Sequence, residues 1–268
     1  MSAIVFLGGG HITASLIAGL RGASPKLRGR ARIVVHDRNP QKLRSLARRF
    51  AIEAEPSLHH AVQHAGILIV AVRPQDVIPL LAGARQIPKR AMCVSLAAGV
   101  PLSALRRACR QTVAWARAMP SPASRNRRGL TALVFDRAFP SRARQRVKSL
   151  FGRVGPTVVI PEREFDAFTV VYSTSQGYHA LAARVSAARR LGLSPRTAFL
   201  AAAHGMVEGV RALEENPGAA SNLLAEAATP GGIAAEVIRV MRARGYDRLV
   251  ERAYRAGLAR ARRMARYS

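Results

Sequence analysis

The chain has 268 residues, enough for one large domain or two modest ones, and 49% of them are hydrophobic, a level typical of globular proteins. No apolar run reaches the roughly 18 residues of a membrane span, and the N-terminus lacks the basic start and unbroken apolar stretch of a secretory signal, so the expected location is the cytoplasm. The formal charge of +28 arises from 43 basic against 15 acidic residues, nearly all of the basic ones arginine. A field of that sign recruits polyanions. The charges are nevertheless spread along the whole chain without interleaved aromatics, which argues against nucleic-acid binding as the main function and favours an anionic cofactor.

Ala3–Leu7 is an apolar run with strand propensity, and Gly8-Gly9-Gly10 and a helical pattern over 11–21 follow it at once. Such a strand–turn–helix aims backbone N–H groups and a helix N-terminus at one point, where a pyrophosphate can sit. Gly8 would permit the tight turn, Gly10 would let the backbone approach the phosphates, and His11 and Ile12 would flank them. Thr13 stands in the third glycine position of the usual G-x-G-x-x-G fingerprint. Alone the motif is weak, since any Gly-rich strand-to-helix turn reads the same way.

Further strands are expected over 32–36, 67–72, 92–96, 112–116, 130–135 and 157–160, with helices at about 40–50, 57–65, 75–84, 101–109 and 140–152. Asn39 before Pro40 reads as an N-cap with Pro at the first helical position. This alternation predicts an α/β fold, a Rossmann-type doubly wound, mostly parallel sheet over residues 1–160. The residue ending the second strand of such a unit faces the adenine ribose. Here Asp37 could accept from ribose hydroxyls and favour NAD, whereas Arg38 could pair a 2′-phosphate and favour NADP. The surplus of arginine tilts the expectation to NADPH, with NADH as the alternative. Ala71-Val72-Arg73-Pro74 and Ala97-Ala98-Gly99 follow later strands, where small residues leave room for a ring and ribose. Both could equally be plain strand-to-helix turns.

Within this first half, His60 and His64 stand four apart with His59 beside them, a spacing able to face a metal from one helix side. No Glu completes an H-E-x-x-H motif and no further ligands cluster in sequence, so no metal site is expected. Cys93 and Cys109 have no CxxC or metal spacing and read as reduced thiols. Beyond residue 161 long Ala/Arg/Leu helical patterns take over, punctuated by Gly192, Pro195, Asn216-Pro217-Gly218 and Thr229-Pro230-Gly231-Gly232. A helical second domain over 161–268 is expected, its Ala-rich faces suited to packing against a second copy as a homodimer or larger homo-oligomer.

Five segments, in order, resemble the pyrroline-5-carboxylate reductase family. They are the opening strand–glycine turn, Ala71-Val72-Arg73-Pro74-Gln75, Val94–Val100, Arg117-Ala118-Met119-Pro120 and Thr229-Pro230-Gly231-Gly232. The resemblance implies a Rossmann domain, an all-helical dimerisation domain and hydride transfer from NAD(P)H to a small cyclic imine. It also places Met119 and Pro120 beside the cofactor, and Glu214, Thr229, Gly231 and Gly232 beside substrate. Departures fall on the substrate side. Ser121-Pro122 replaces an Asn-Thr pair, Tyr172 replaces a glycine, and Ile233 and Ala234 stand where a carboxylate-binding Thr is usual. Candidate donors to the imine nitrogen are Tyr172, Ser173, Thr174 and Thr229, with Tyr178 and His179 nearby. Tyr172 and His179, seven apart, would share a face if the helix ran through both. As a structural alternative, that face packs at the dimer interface and Thr229 is only a helix cap.

The expected function is therefore an NAD(P)H-dependent imine reductase, with pyrroline-5-carboxylate as the leading substrate. A β-hydroxyacid dehydrogenase would share the first domain, but its catalytic Lys has no counterpart here, since Lys148 is the last lysine. The alternative from another class is a catalytically idle cofactor-binding regulatory protein with an eroded substrate site.

Overall fold

The computed structural model describes residues 3–22, 32–109, 113–215 and 218–266. Thr112 of the expected fifth strand and the Asn216-Pro217 punctuation lie outside the described residues.

Among these residues eight strands form one sheet: β1 (Ala3–Leu7), β2 (Ile33–His36), β3 (Glu53–Ala54), β4 (Ala65–Val70), β5 (Met92–Ser95), β6 (Ala114–Met119), β7 (Thr131–Phe135) and β8 (Thr157–Val159). Their order is β3-β2-β1-β4-β5-β6-β7-β8. Only the β6–β7 pair is antiparallel. The strand order reverses between β1 and β4, the switch point where ligands bind in open α/β sheets. All six residues of β4 are buried, as expected of a strand covered on both faces.

Helices α1 (His11–Gly22), α2 (Pro40–Phe50), α3 (Leu58–Gln63), α4 (Pro74–Gly83), α5 (Leu102–Ala108), α6 (Ser141–Gly152) and α7 (Glu162–Val171) accompany the sheet. Strand side chains alternate between two cores. Val5, Leu7, Leu68 and Val70 pack with Val62 of α3, Val77 and Leu81 of α4 and Leu105 of α5. Phe6, Ile67 and Ile69 pack with Leu16 and Ile17 of α1, Leu43 and Leu46 of α2 and Leu150 of α6. Asn39 caps α2, its side-chain oxygen accepting from the Gln41 and Lys42 N–H groups at 2.9 and 3.3 Å.

Three local differences from the sequence pattern have clear causes. β6 runs to Met119, past the expected end at residue 116, because Arg117 is buried within it and its charge hides the strand pattern. β3 is two exposed residues at the sheet edge, too short for any periodicity. A short 3₁₀ helix over Pro122–Asn126 occupies what reads as a proline-containing loop.

The remaining helices are α8 (Thr174–Arg190), α9 (Pro195–Glu215), α10 (Ala220–Ala227), α11 (Ile233–Ala243) and α12 (Tyr246–Arg266). By contacts the chain divides into two compact units, one of Met1–Val171 with Gly257–Ser268 and one of Tyr172–Ala256. The first unit extends past the change of element type near residue 160 for two reasons. Fully buried Phe165 of α7 joins the sheet's core, and the end of α12 returns to the turn after β5. There Gly99 has φ +71°, and a Cβ on it would come within 2.6 Å of the Ala261 carbonyl oxygen. Within the second unit α8 packs on α9, but α8, α10 and α11 bury none of their residues and α9 buries only Ala198. No described helix is long and apolar enough to cross a membrane, and no metal-binding cluster occurs among the described residues.

Candidate functional site: a nucleotide cavity at the sheet's switch point

The end of β1 is tied to both neighbouring strands. The Gly8 N–H donates to the His36 carbonyl at 2.7 Å, and the Ala71 N–H donates to the Leu7 carbonyl at 2.8 Å. Gly8 has φ +110°, and a Cβ there would stand 2.6 Å from the Ala71 carbonyl oxygen, so glycine is required on both counts. Thr13 is fully buried, and its hydroxyl donates to the Gly8 carbonyl at 2.6 Å. It thereby braces the turn from a position that is glycine in the usual fingerprint. A Cβ on Gly10 would meet nothing within 4 Å, so the backbone there is open to an approaching group. The first N–H groups of α1 have no intrahelical acceptors and carry the positive end of the helix dipole.

Asp37 does something the sequence does not disclose. Its Oδ2 accepts from the Gly9 N–H at 2.7 Å and its Oδ1 from the Asn39 N–H at 2.8 Å. The carboxylate thus ties the glycine turn to the start of α2, and each of its oxygens already holds one donor.

An open cavity of about 710 Å³ lies over this switch point, within the usual size range of small-molecule sites. Of the expected cofactor residues, Gly8, Gly10, His11, Asp37, Arg38, Ala71, Val72 and Arg73 line it. Ile12, Pro74, Ala97, Ala98, Gly99, Met119 and Pro120 do not border it. The last five follow β5 or end β6 at the same carboxyl edge of the sheet. The sequence reading missed Lys42 and an apolar wall of Pro56, Leu58, Pro79 and Leu80, suited to one face of a flat ring. Lys42 was in principle legible: a helix starting at Pro40 places it in the first turn, four residues after Arg38. The Arg38 side chain is 84% exposed and stands 3.4 Å from Asp76, a pairing of little energetic weight that leaves its guanidinium available.

Arg117, within the R-x-M-P segment, belongs to the core. Its Nη2 donates to Asp166 Oδ1 at 2.9 Å, its Nη1 stands 3.7 Å from Glu162 Oε1, and its guanidinium lies 4.0 Å from the Phe165 ring centroid. Burial pulls this guanidinium below its ordinary range, while Asp166 and then Glu162 push it back up. Glu162 Oε1 also accepts from the Leu102 N–H at 2.7 Å, tying α7 to the start of α5. Ser121, which stands where the family has its Asn-Thr pair, is by contrast buried with Ser124 beside Gly129.

The expected substrate-side residues all fall in the second unit. Tyr172 and Ser173 form the break between α7 and α8. Tyr172 and His179 therefore do not share one continuous helix, which corrects the expected common face. Ser173 N-caps α8 and its hydroxyl lies 2.7 Å from that of Ser175; Thr174 is the first helical residue. Thr229 does not cap the next helix; Gly232 does. The Thr229 carbonyl accepts from the Gly232 N–H at 2.9 Å, closing a turn in which Gly231 has φ +76°. Glu214 is exposed at the end of α9.

Residues 3–99 match the family described as NADP oxidoreductase coenzyme F420-dependent. Residues 162–264 match the pyrroline-5-carboxylate reductase dimerisation family. The chain is 29% identical to a pyrroline-5-carboxylate reductase of Mycobacterium tuberculosis, covering 97% of this chain and 96% of the relative. It is also 29% identical to that of Pseudomonas aeruginosa, covering 98% and 96%. The fold is similar to Plasmodium falciparum pyrroline carboxylate reductase with NADP bound, with a TM-score of 0.87 at 16% identity and 98% of each chain covered. With both halves matched in order and the likeness running end to end, the chain belongs to the pyrroline-5-carboxylate reductase family.

Proposed function

We propose that this protein reduces the C=N bond of a small cyclic imine with NADPH, in the cytoplasm, as a homodimer or larger homo-oligomer built through its helical unit. Pyrroline-5-carboxylate is the leading substrate. The observation that carries this reading is the likeness along the whole chain to reductases named for that compound, at 29% identity over 97% of the length. The idle regulatory alternative has no comparable support.

The nucleotide cavity suits the cofactor. The Gly8–Gly10 turn and the start of α1 would hold the pyrophosphate, Arg38 and Lys42 a 2′-phosphate, and Pro56, Leu58 and Leu80 the adenine face. Each Asp37 oxygen accepts one backbone N–H and keeps a second acceptor site, so the preference for NADPH over NADH rests on the cationic Arg38 and Lys42. When bound, NADPH supplies the hydride that the imine carbon accepts. The protein's own part is positioning, plus a proton or hydrogen bond at the imine nitrogen. Tyr172, Ser173, Thr174 and Thr229 carry the hydroxyls for that task. Glu214, Gly231 and Gly232 are the proposed substrate contacts.

The helical unit supports self-association. Ile233, Val237 and Val240 follow helical spacing on α11 and are 89, 53 and 43% exposed, an apolar stripe that a second copy would cover. The test is NADPH oxidation with a panel of cyclic imines, with and without the ring carboxylate. Turnover of pyrroline-5-carboxylate is expected; no turnover with any imine refutes the reading.

A further inference from the structure

A second concavity, of about 510 Å³, lies at the opposite end of the strands that carry the nucleotide cavity. Its floor is formed by Ala3 and Ile4 at the start of β1 and by Gly66 and Ile67 near the start of β4. The nucleotide cavity opens beyond the ends of the same strands, roughly 17 Å away at the rise of an extended chain. The far wall is one stripe of α6 and the residue that follows it: Arg142, Gln145, Arg146, Ser149 and Arg153, spaced by three or four residues so that they share a face. α6 contains no acidic residue.

The charge here is unbalanced. Arg32, at the rim, is committed to Glu53 through two hydrogen bonds of 2.8 Å. Arg142, Arg146 and Arg153 have no carboxylate partner among the described residues. The Arg153 Nε is buried without a hydrogen-bond partner among the described residues, so nothing there offsets the guanidinium's charge. Burial, and then the Arg153 charge, hold the neighbouring Arg21 guanidinium below its ordinary range, so the cluster is self-repelling as it stands.

We infer that this concavity is a second anion site, distinct from the nucleotide cavity, that takes a compact polyphosphate. Guanidinium forks match phosphate oxygens bidentately, and the three of Arg142, Arg146 and Arg153 exceed what a single monoanion can engage. The pocket's volume is that of a small-molecule site. Its floor is apolar and its lining holds no aromatic side chain, so it lacks the stacking platforms that a nucleic-acid strand uses.

The experiment is calorimetric titration of inorganic triphosphate into the full-length protein saturated with NADPH. Binding is expected, and Arg142→Gln with Arg146→Gln should weaken it at least tenfold. That double variant, altered only at exposed positions, should keep its melting temperature and its NADPH affinity. Triphosphate binding that persists unchanged in the double variant overturns the proposal, as does absence of binding at millimolar concentration or competition by NADPH. Binding of a single-stranded oligonucleotide that depends on Arg142 and Arg146, without triphosphate binding, assigns the site to nucleic acid instead.

Discussion

Gly8 and Asp37 illustrate what single residues reveal before and after folding. The requirement for Gly8 is legible in sequence, because a strand running straight into a helix needs a sharp turn there. The role of Asp37 is not. Its partner, the Gly9 N–H, is 28 residues away, and only the closed turn brings the two together. In the proposed binding mode, discrimination between NADPH and NADH falls to Arg38 and Lys42. The double variant Arg38→Gln, Lys42→Gln is expected to raise KM for NADPH about tenfold or more. Its KM for NADH should change little, because the lost contacts are charge-assisted bonds to a phosphate that only NADPH carries. Steady-state kinetics with both cofactors decides this. An equal effect on the two would place the 2′-phosphate elsewhere.

At the level of elements, the docking of α7 rests on one buried arginine. Arg117 faces two acids one helical turn apart on α7, Glu162 and Asp166, and stacks on Phe165 between them. Removing one partner of such a cluster costs about 3–5 kcal/mol, whereas replacing the pair with apolar side chains is often nearly neutral. Asp166 and Glu162 keep some solvent contact, with side chains 26 and 39% exposed, so the lower end of that range is expected. Arg117→Met should therefore lower unfolding free energy by about 3 kcal/mol, and Arg117→Met with Asp166→Leu should recover much of it. Urea unfolding followed by circular dichroism measures both. Equal loss in the two variants would mean that packing at Arg117, not its charge pairing, holds α7. The alternation of strands and helices was readable from apolar periodicity. This latch was not, because it joins an interrupted strand pattern to acids 49 residues later.

At the scale of the molecule, the sheet and its switch point followed from the sequence, and so did the turn to helices after residue 161. The quaternary arrangement and the substrate contacts could not follow in the same way. Exposed Ile233 and Val237 look like ordinary core positions in a helical pattern, and only the fold leaves them uncovered. Val237→Glu puts an unpaired charge in the middle of that stripe and is expected to shift the protein from dimer to monomer in sedimentation equilibrium. A variant that remains dimeric would move the interface to another face. A last consequence concerns the order in which the chain can fold. Because Gly99 is packed under Ala261, and residues 257–268 belong with the nucleotide-binding unit, the helical unit is topologically an insertion. During synthesis, the turn after β5 therefore waits for the segment around Ala261 to leave the ribosome before it can reach its finished packing. Removing that segment would then disturb the nucleotide-binding unit, although it is made long after the sheet.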